Sequence, residues 1–365
     1  MRPMTRALRA VSILAVVSAM VLPTPAAQAA TITAESVATG LSFPAGFTFA
    51  LDGRIFYGER FTGEVRIFNP ATSSDQLFFT IPNLVTGGEQ GLLGIALDPD
   101  YPTTPYVYAS VTRSESGVGK VEIVRMTDSG GTGSDMAVIF IAGNSESNHN
   151  GGRLLFGPDD NLYFVVGEKG NPRLAQRLGN RGGKVHRITA GGAVPSDNPF
   201  ADRPVFAYGI RNSFGLAFDP ATGRLWESEN GPACNDELNR IVRGRNYGWG
   251  PSETCGTPPS PPKNTNQDGP NPVGPRRFYT PTIAPTGVVF CSSCGLGTES
   301  EGRLFFGAWN TGEIRRVTLN DTRRSVSSQS VVYTHDSGVL SMERGPDGAL
   351  YFSDSDAIFR LALAP

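Results

Sequence analysis

The sequence predicts an all-β protein, specifically a six-bladed β-propeller. Three observations carry that expectation. One strand-turn-strand phrase recurs six times. Turn formers are abundant, with 44 Gly and 28 Pro in 365 residues. No stretch sustains the 3.6-residue apolar period of an amphipathic helix. Short strands between turns argue for all-β structure. Repetition at this spacing argues for one sheet per repeat around a central channel. A composition of 39% hydrophobic and 18% charged residues excludes wholesale disorder. A pair of β-sandwiches is the rival, but six similar units fit a ring more simply.

The elements follow in chain order. Residues 1–29 read as a secretory signal peptide. Arg2, Arg6 and Arg9 precede the apolar run Val11 to Leu22, and Ala27-Gln28-Ala29 supplies the small residues of a cleavage site. The run is too short to span a bilayer. Cleavage would remove three Arg and no acid, moving the formal charge from -2 to -5. The mature protein, residues 30–365, is thus expected to be secreted and without stable membrane insertion. Thr31 to Val37 has strand composition and is expected to complete the last sheet, closing the ring and removing an open edge.

The six phrases come next. Gly53-Arg54-Ile55-Phe56-Tyr57 leads to Gly63 through Phe68, and Pro105 through Ala109 to Lys120 through Arg125. Asn161 through Val165 leads to Gly183 through Ile188, and Gly223 through Glu227 to Asp236 through Ile241. Gly302 through Phe306 leads to Gly312 through Val317, and Gly348 through Phe352 to Ala357 through Leu361. Phe156-Gly157-Pro158-Asp159 and Gly345-Pro346-Asp347-Gly348 supply hairpin turns. The Pro/Gly-rich insertion 251–276 cannot bury a core and is expected to be an exposed loop.

Four cysteines form an even set suited to an oxidising compartment. Three pairings are possible; proximity favours Cys234 with Cys255 and Cys291 with Cys294. The first would contribute about 3 kcal/mol in the chain-entropy model. A zinc or redox role for Cys291 lacks a partner CxxC or a nearby His. Only four Lys and no basic block argue against nucleic-acid binding.

Propellers gather loops at one end of the channel, and four loops look chemical. Gly87-Gly88-Glu89-Gln90-Gly91 places a carboxylate and an amide between glycines. Asn148-His149-Asn150-Gly151-Gly152-Arg153 offers an imidazole, the usual general base near neutral pH. A solvated loop His is the plainer alternative. Tyr208-Gly209-Ile210-Arg211-Asn212-Ser213 can bind carboxylate or carbonyl oxygen, or simply tie two blades. Glu229 through Asn239 is rich in oxygen ligands, which suits Ca²⁺ without forming an EF-hand.

In this order the loops resemble the glucose/sorbosone dehydrogenase family, soluble quinoprotein sugar dehydrogenases that use PQQ. The matching phrases are EQGLLGIALDPDYPTTPYVY, NHNGGRLLFGPDDNLYFVVGEKGN, YGIRNSFGLAFDPATGRLW, ENGPACNDELNRI with NYGWG, and PTIAPTGVVF. They cover nearly all of the mature chain. The resemblance implies a six-bladed propeller with PQQ and Ca²⁺ as cofactors. It implies oxidation of the C1 hydroxyl of an aldose to a lactone, with a separate electron acceptor. By motif, His149 would be the base. Arg211 would be catalytic and, with Asn212, Glu89 and Asn148, would contact the quinone. Gly231 and Pro232 carbonyls would hold the catalytic calcium, and Glu237 and Tyr247 a second, structural one. The family places Asp just before the base; Asn148 can orient the imidazole but not compensate its charge.

Three departures matter. Asn310 stands where the best-known relatives have Lys, and Gly338 and Leu340 where they have two Arg. PQQ carries three carboxylates, and each charged hydrogen bond is worth roughly 1.5–3 kcal/mol. Arg153, Arg181, Arg315 and Arg344 are candidate replacements by position. Against the dehydrogenase stands a non-catalytic propeller that binds carbohydrate or protein, its PQQ site decayed. A propeller hydrolase such as a lactonase would need a carboxylate-rich metal site, for which Glu89, Glu229 and Asp236 are the candidates.

Overall fold

The computed structural model describes residues 31–364 except 115, 253, 254 and 256–266. The segment read as a signal peptide lies outside them, as does most of the first half of the insertion.

Six four-stranded antiparallel sheets form a β-propeller. Blade 1 is β2 to β5 (Pro44–Phe49, Ile55–Glu59, Glu64–Asn69, Ser74–Thr80). Blade 2 is β6 to β9 (Leu92–Leu97, Tyr106–Arg113, Lys120–Asp128, Gly133–Asn144). Blade 3 is β10 to β13 (Leu154–Phe156, Leu162–Val166, Lys184–Ile188, Val205–Tyr208). Blade 4 is β14 to β17 (Ser213–Phe218, Leu225–Glu229, Asp236–Ile241, Arg277–Tyr279), and blade 5 is β18 to β21 (Pro285–Phe290, Leu304–Ala308, Glu313–Leu319, Val326–Thr334). Blade 6 joins β22 to β24 (Ser341–Arg344, Leu350–Ser353, Ala357–Leu363) to β1 (Ile32–Thr39) from the other end of the chain. Ile32 faces Leu363 and Thr39 faces Ala357 in that pairing. Among the described residues the only helical element is a 3-10 turn at Pro172–Leu174. No helix there is long and apolar enough to cross a membrane.

Each recurring phrase is the second and third strand of a blade. Their apolar runs follow from burial on both faces, because successive side chains enter opposite blade interfaces. Phe56 packs toward blade 2 while Tyr57 packs toward blade 6. Tyr163 packs toward blade 4 while Phe164 packs toward blade 2. The core is therefore six clusters, one between each pair of neighbouring blades.

The innermost strands approach so closely that glycine is required. A Cβ on Gly94 would lie 2.3 Å from the carbonyl oxygen of Gly152, and one on Gly215 2.1 Å from that of Thr286. The register shifts at these glycines, between Leu92 and Gly94 and between Ser213 and Gly215.

Both expected disulfides, Cys234–Cys255 and Cys291–Cys294, are present. The described end of the insertion is more tightly held than its composition suggests. Asn246 Nδ2 donates to the Asp268 carbonyl at 2.8 Å, and the Val273 amide to that of Asn246 at 2.8 Å.

Candidate active site

Strand direction alternates within each blade. Loops joining the second strand to the third therefore emerge at the same end as those joining one blade to the next. Side chains from both loop sets line one cavity of about 400 Å³ at that end. Glu89, His149, Arg211 and Asn212 come from inter-blade loops; Arg60, Gly231, Pro232, Trp309 and Asn310 come from loops within blades.

The three histidines separate cleanly. His186 is fully buried and stacked on Phe164, and burial holds it down to about 3. His335 pairs with Asp354 at 3.0 Å. Only His149 lines the cavity. Its backbone sits at φ 58°, a sparsely populated region for a non-glycine residue. Two bonds hold it there. Its amide donates to Glu89 Oε2 at 2.7 Å, and its carbonyl accepts from the Lys169 amide at 3.1 Å.

The charge partner of His149 is Glu168, which the sequence analysis did not identify. Glu168 Oε1 lies 2.6 Å from His149 Nδ1, and the residue is 1% exposed. Its second oxygen is buried and has no hydrogen-bond partner among the described residues. Glu168 follows β11 in an intra-blade loop, and its amide donates to the Arg211 carbonyl at 2.8 Å. Asn148, expected to orient the base, is exposed and does not line the cavity. Glu168 rather than Asn148 is therefore the side chain placed to hold the imidazole by Nδ1, an arrangement that would leave Nε2 available as a proton acceptor.

The remaining polar groups are cross-braced. Glu89 Oε2 also accepts from Asn212 Nδ2 at 2.9 Å. The Arg211 amide donates to Glu229 Oε1 at 2.6 Å, and its Nη1 to the Asn230 carbonyl at 2.8 Å. The Arg211 guanidinium lies 5.3 Å from the centre of the Trp249 ring. Asp236 accepts from the amides of Gly231, Ile283 and Ala284 at 2.8, 2.7 and 2.7 Å. Burial nevertheless raises its carboxyl.

Three guanidinium groups, Arg60, Arg153 and Arg211, face the two carboxylates Glu89 and Asp236 in this cavity. Of the four candidate replacement cations, Arg153 alone lines it. Arg153 is bonded to Phe214, Leu340 and Ala45 carbonyls and to Ser341 Oγ, joining four blades. Arg181 packs over Phe140, Arg315 pairs with Glu313, and Arg344 donates to the Ser292 carbonyl. Arg60 was missed. It donates to the carbonyls of Gln90 and Gly88 and stacks on Phe43 and Phe61. Asn310 and Leu340 are on the cavity wall, whereas Gly338 lies beneath Trp309.

Behind the cavity Asn239 Nδ2 gathers Glu227, Glu229 and Glu237 at 3.2, 3.3 and 2.9 Å. Burial raises the Glu227 carboxyl to about 8, and burial with the neighbouring carboxylates raises Glu229 as well. Glu227 Oε1 and Asn239 Oδ1 have no hydrogen-bond partner among the described residues. The Tyr247 hydroxyl is committed to the Arg240 carbonyl and the Val242 amide, at 2.6 and 2.8 Å. Among the described residues no group of three or more His, Cys, Asp or Glu side chains has the arrangement of a metal site.

A propeller whose channel mouth holds a braced His–Glu pair amid guanidinium groups defines a polar small-molecule site of catalytic type. A family profile described as Glucose / Sorbosone dehydrogenase matches residues 41–361, and the chain belongs to that family. Aldose sugar dehydrogenase YliI of Escherichia coli is 28% identical, over 88% of this chain and 90% of that one. Quinoprotein glucose dehydrogenase B of Acinetobacter calcoaceticus is 34% identical, over 58% of this chain and 51% of its own. A solved structure of the PQQ-bound form of aldose sugar dehydrogenase from Streptomyces coelicolor superposes with a TM-score of 0.77. It is 28% identical, covering 92% of this chain and 99% of that one. The propeller is that of the quinoprotein sugar dehydrogenases.

Proposed function

We propose that the protein is a secreted, PQQ- and Ca²⁺-dependent dehydrogenase that oxidises the C1 hydroxyl of aldoses to lactones. The observation that carries this reading is His149 on the cavity wall, backed by the buried Glu168 carboxylate. A module that only binds carbohydrate has no need of a strained imidazole backed by a buried carboxylate.

The cavity chemistry fits the cofactor. Its volume of about 400 Å³ is that of a small-molecule site, and its guanidinium groups complement an acidic ligand. Arg211 and Asn212 would hold the quinone side, with Glu89 positioning both Asn212 and the His149 backbone. Gly231 and Pro232 carbonyls would hold the catalytic Ca²⁺. The orphaned buried oxygens of Glu227 and Asn239 beside Glu237 suit a hard cation, to which Tyr247 would contribute its carbonyl rather than its hydroxyl.

When bound, PQQ supplies the two-electron acceptor, with Ca²⁺ as Lewis acid. The protein supplies the rest. His149 Nε2 takes the proton of the C1 hydroxyl while the C1 hydride departs. Glu168 holds the imidazole by Nδ1 and stabilises the positive charge it gains.

Titration of the mature protein with PQQ in millimolar Ca²⁺, followed by aldose-dependent reduction of an artificial acceptor, tests the reading. Tight binding with turnover is expected, and His149→Ala should abolish turnover while leaving folding intact. No binding at high micromolar PQQ would overturn the proposal. Turnover in the His149→Ala protein would remove His149 as the base.

A further inference from the structure

Of the few large apolar side chains exposed among the described residues, Trp309 lines this same cavity and Phe61 adjoins it through Phe43. Trp309 is 38% exposed and Phe61 48%. Phe43 bridges them, with ring centres 5.9 Å from Trp309 and 5.2 Å from Phe61. The Arg60 guanidinium stacks on Phe43 at 5.0 Å and on Phe61 at 4.7 Å, which stiffens the group. Phe43 and Trp309 line the cavity together with His149.

Trp309 is seated by a glycine. A Cβ at Gly338 would fall 2.4 Å from Trp309 Cε3 and 2.6 Å from Cδ2, so the indole lies against bare backbone. Its amide is also fixed, donating to the Ala284 carbonyl at 2.8 Å. A side chain of any size at position 338 would displace the ring. The departures at positions 310 and 338 are therefore physically linked: a neutral, flat wall replaces a cationic one, and its flatness depends on the absence of a side chain at 338.

The cavity is graded in depth. Arg153, Thr286 and Leu340 form its inner part, with Arg153 and Thr286 buried, while the aromatic wall is at the exposed rim. The ligand bound first and held longest occupies the interior. The ligand that exchanges on every turnover meets the rim. A pyranose presents a flat face of C–H groups and an edge of hydroxyls. An indole complements that face, and Asn310, beside it on the wall, can reach hydroxyls.

We propose that Trp309, seated on Gly338, is the platform on which the aldose stacks, making it a specificity-determining residue for the sugar. This inference rests on the dehydrogenase reading of the cavity. Removing the stacking surface should weaken sugar binding about tenfold and leave PQQ affinity unchanged.

The test combines kinetics with a binding readout. Trp226 and Trp249 are 0% and 2% exposed, so Trp309 provides the iodide-quenchable tryptophan fluorescence. In the wild-type protein, saturating 1,5-anhydroglucitol, a glucose analogue without a C1 hydroxyl, should shield Trp309 from iodide. In the PQQ- and Ca²⁺-loaded enzyme, Trp309→Ala should raise KM for glucose about tenfold and change kcat less than threefold. Trp309→Phe should recover most of the loss. Gly338→Ala should raise KM with the tryptophan still in place. Glucose turnover with an unchanged KM in Trp309→Ala and no shielding would overturn the inference. So would a loss of PQQ affinity in that variant with KM unchanged. If the loaded wild-type enzyme oxidises no aldose, the dehydrogenase reading fails, and the quenching experiment decides alone: shielding supports a sugar platform, and its absence refutes one.

Discussion

Replacing Glu168 by Gln tests how much of the chemistry depends on the buried carboxylate. The substitution keeps size and allows the amide oxygen to accept the His149 Nδ1 proton, so geometry is nearly preserved. What disappears is a negative charge whose Oε1 is 2.6 Å from the imidazole. Two unit charges with centres about 4 Å apart attract by about 4 kcal/mol at an effective dielectric of about 20. If roughly half the imidazolium charge has developed in the transition state, about 2 kcal/mol of stabilisation is lost. At 1.36 kcal/mol per decade that is about a 30-fold fall in kcat. KM and PQQ affinity should change less than threefold, because Glu168 is behind the imidazole rather than on the cavity wall. The assay is steady-state reduction of an artificial acceptor by aldose with the fully loaded variant, beside a PQQ titration. A kcat within twofold of wild type would refute the argument that Glu168 compensates charge. A rise in KM or a loss of PQQ affinity as large as the fall in kcat would mean that it merely supports the loop.

Two further predictions concern stability. Burial raises Glu227 to about 8 and raises Glu229 too, so the folded protein holds protons that the unfolded chain has released above its ordinary carboxylate pKa. That contribution is complete at low pH and disappears as pH climbs through about 8, so metal-free protein should lose stability from pH 5 to 8. Millimolar Ca²⁺ should raise Tm more at pH 8 than at pH 5.5, since the cation takes the place of the protons; an equal effect at both would count against metal binding at this cluster. Gly215→Ala puts a Cβ 2.1 Å from the Thr286 carbonyl oxygen and should cost about 1–3 kcal/mol or more, read as a lower Tm. An unchanged Tm would mean that the inner strands can separate freely.

The fold was legible because both faces of a propeller strand are buried. Phe56-Tyr57, Tyr163-Phe164 and Phe305-Phe306 each feed two interfaces, so the second strand of every blade reads as an aromatic run bounded by turns. The outer strands carry less signal. Ser74–Thr80 and Val326–Thr334 are mostly solvent-facing and stand apart only by pairing. The inter-blade loops were legible because a carboxylate, an imidazole and a guanidinium stand there among glycines, even though those glycines also serve close backbone approaches such as that of Gly88 to the Ser147 carbonyl. Glu168, Arg60 and Trp309 were not. They occupy the gap inside each phrase, between second and third strands, where charged and aromatic residues pass for ordinary turn flanks. The signal that would have found them is topological: in an antiparallel blade those gaps share an end with the inter-blade loops.

The same topology explains why loss of three expected cations does not empty the cavity of positive charge. Arg153 is placed by blade 3 but bonded to backbone or hydroxyl oxygens of blades 1, 4 and 6. Its charge is thus fixed by the closure of the ring rather than by any ligand, and burial alone opposes it. Arg60 is likewise held by carbonyls and two aromatic faces. Both guanidinium groups spend their hydrogen bonds on neutral oxygens rather than in ion pairs, with Glu89 near Arg60 and Glu343 near Arg153 offsetting only part of their charge. An acidic ligand can then be attracted without a dedicated cation at 310, 338 or 340, leaving that side of the wall free for Trp309.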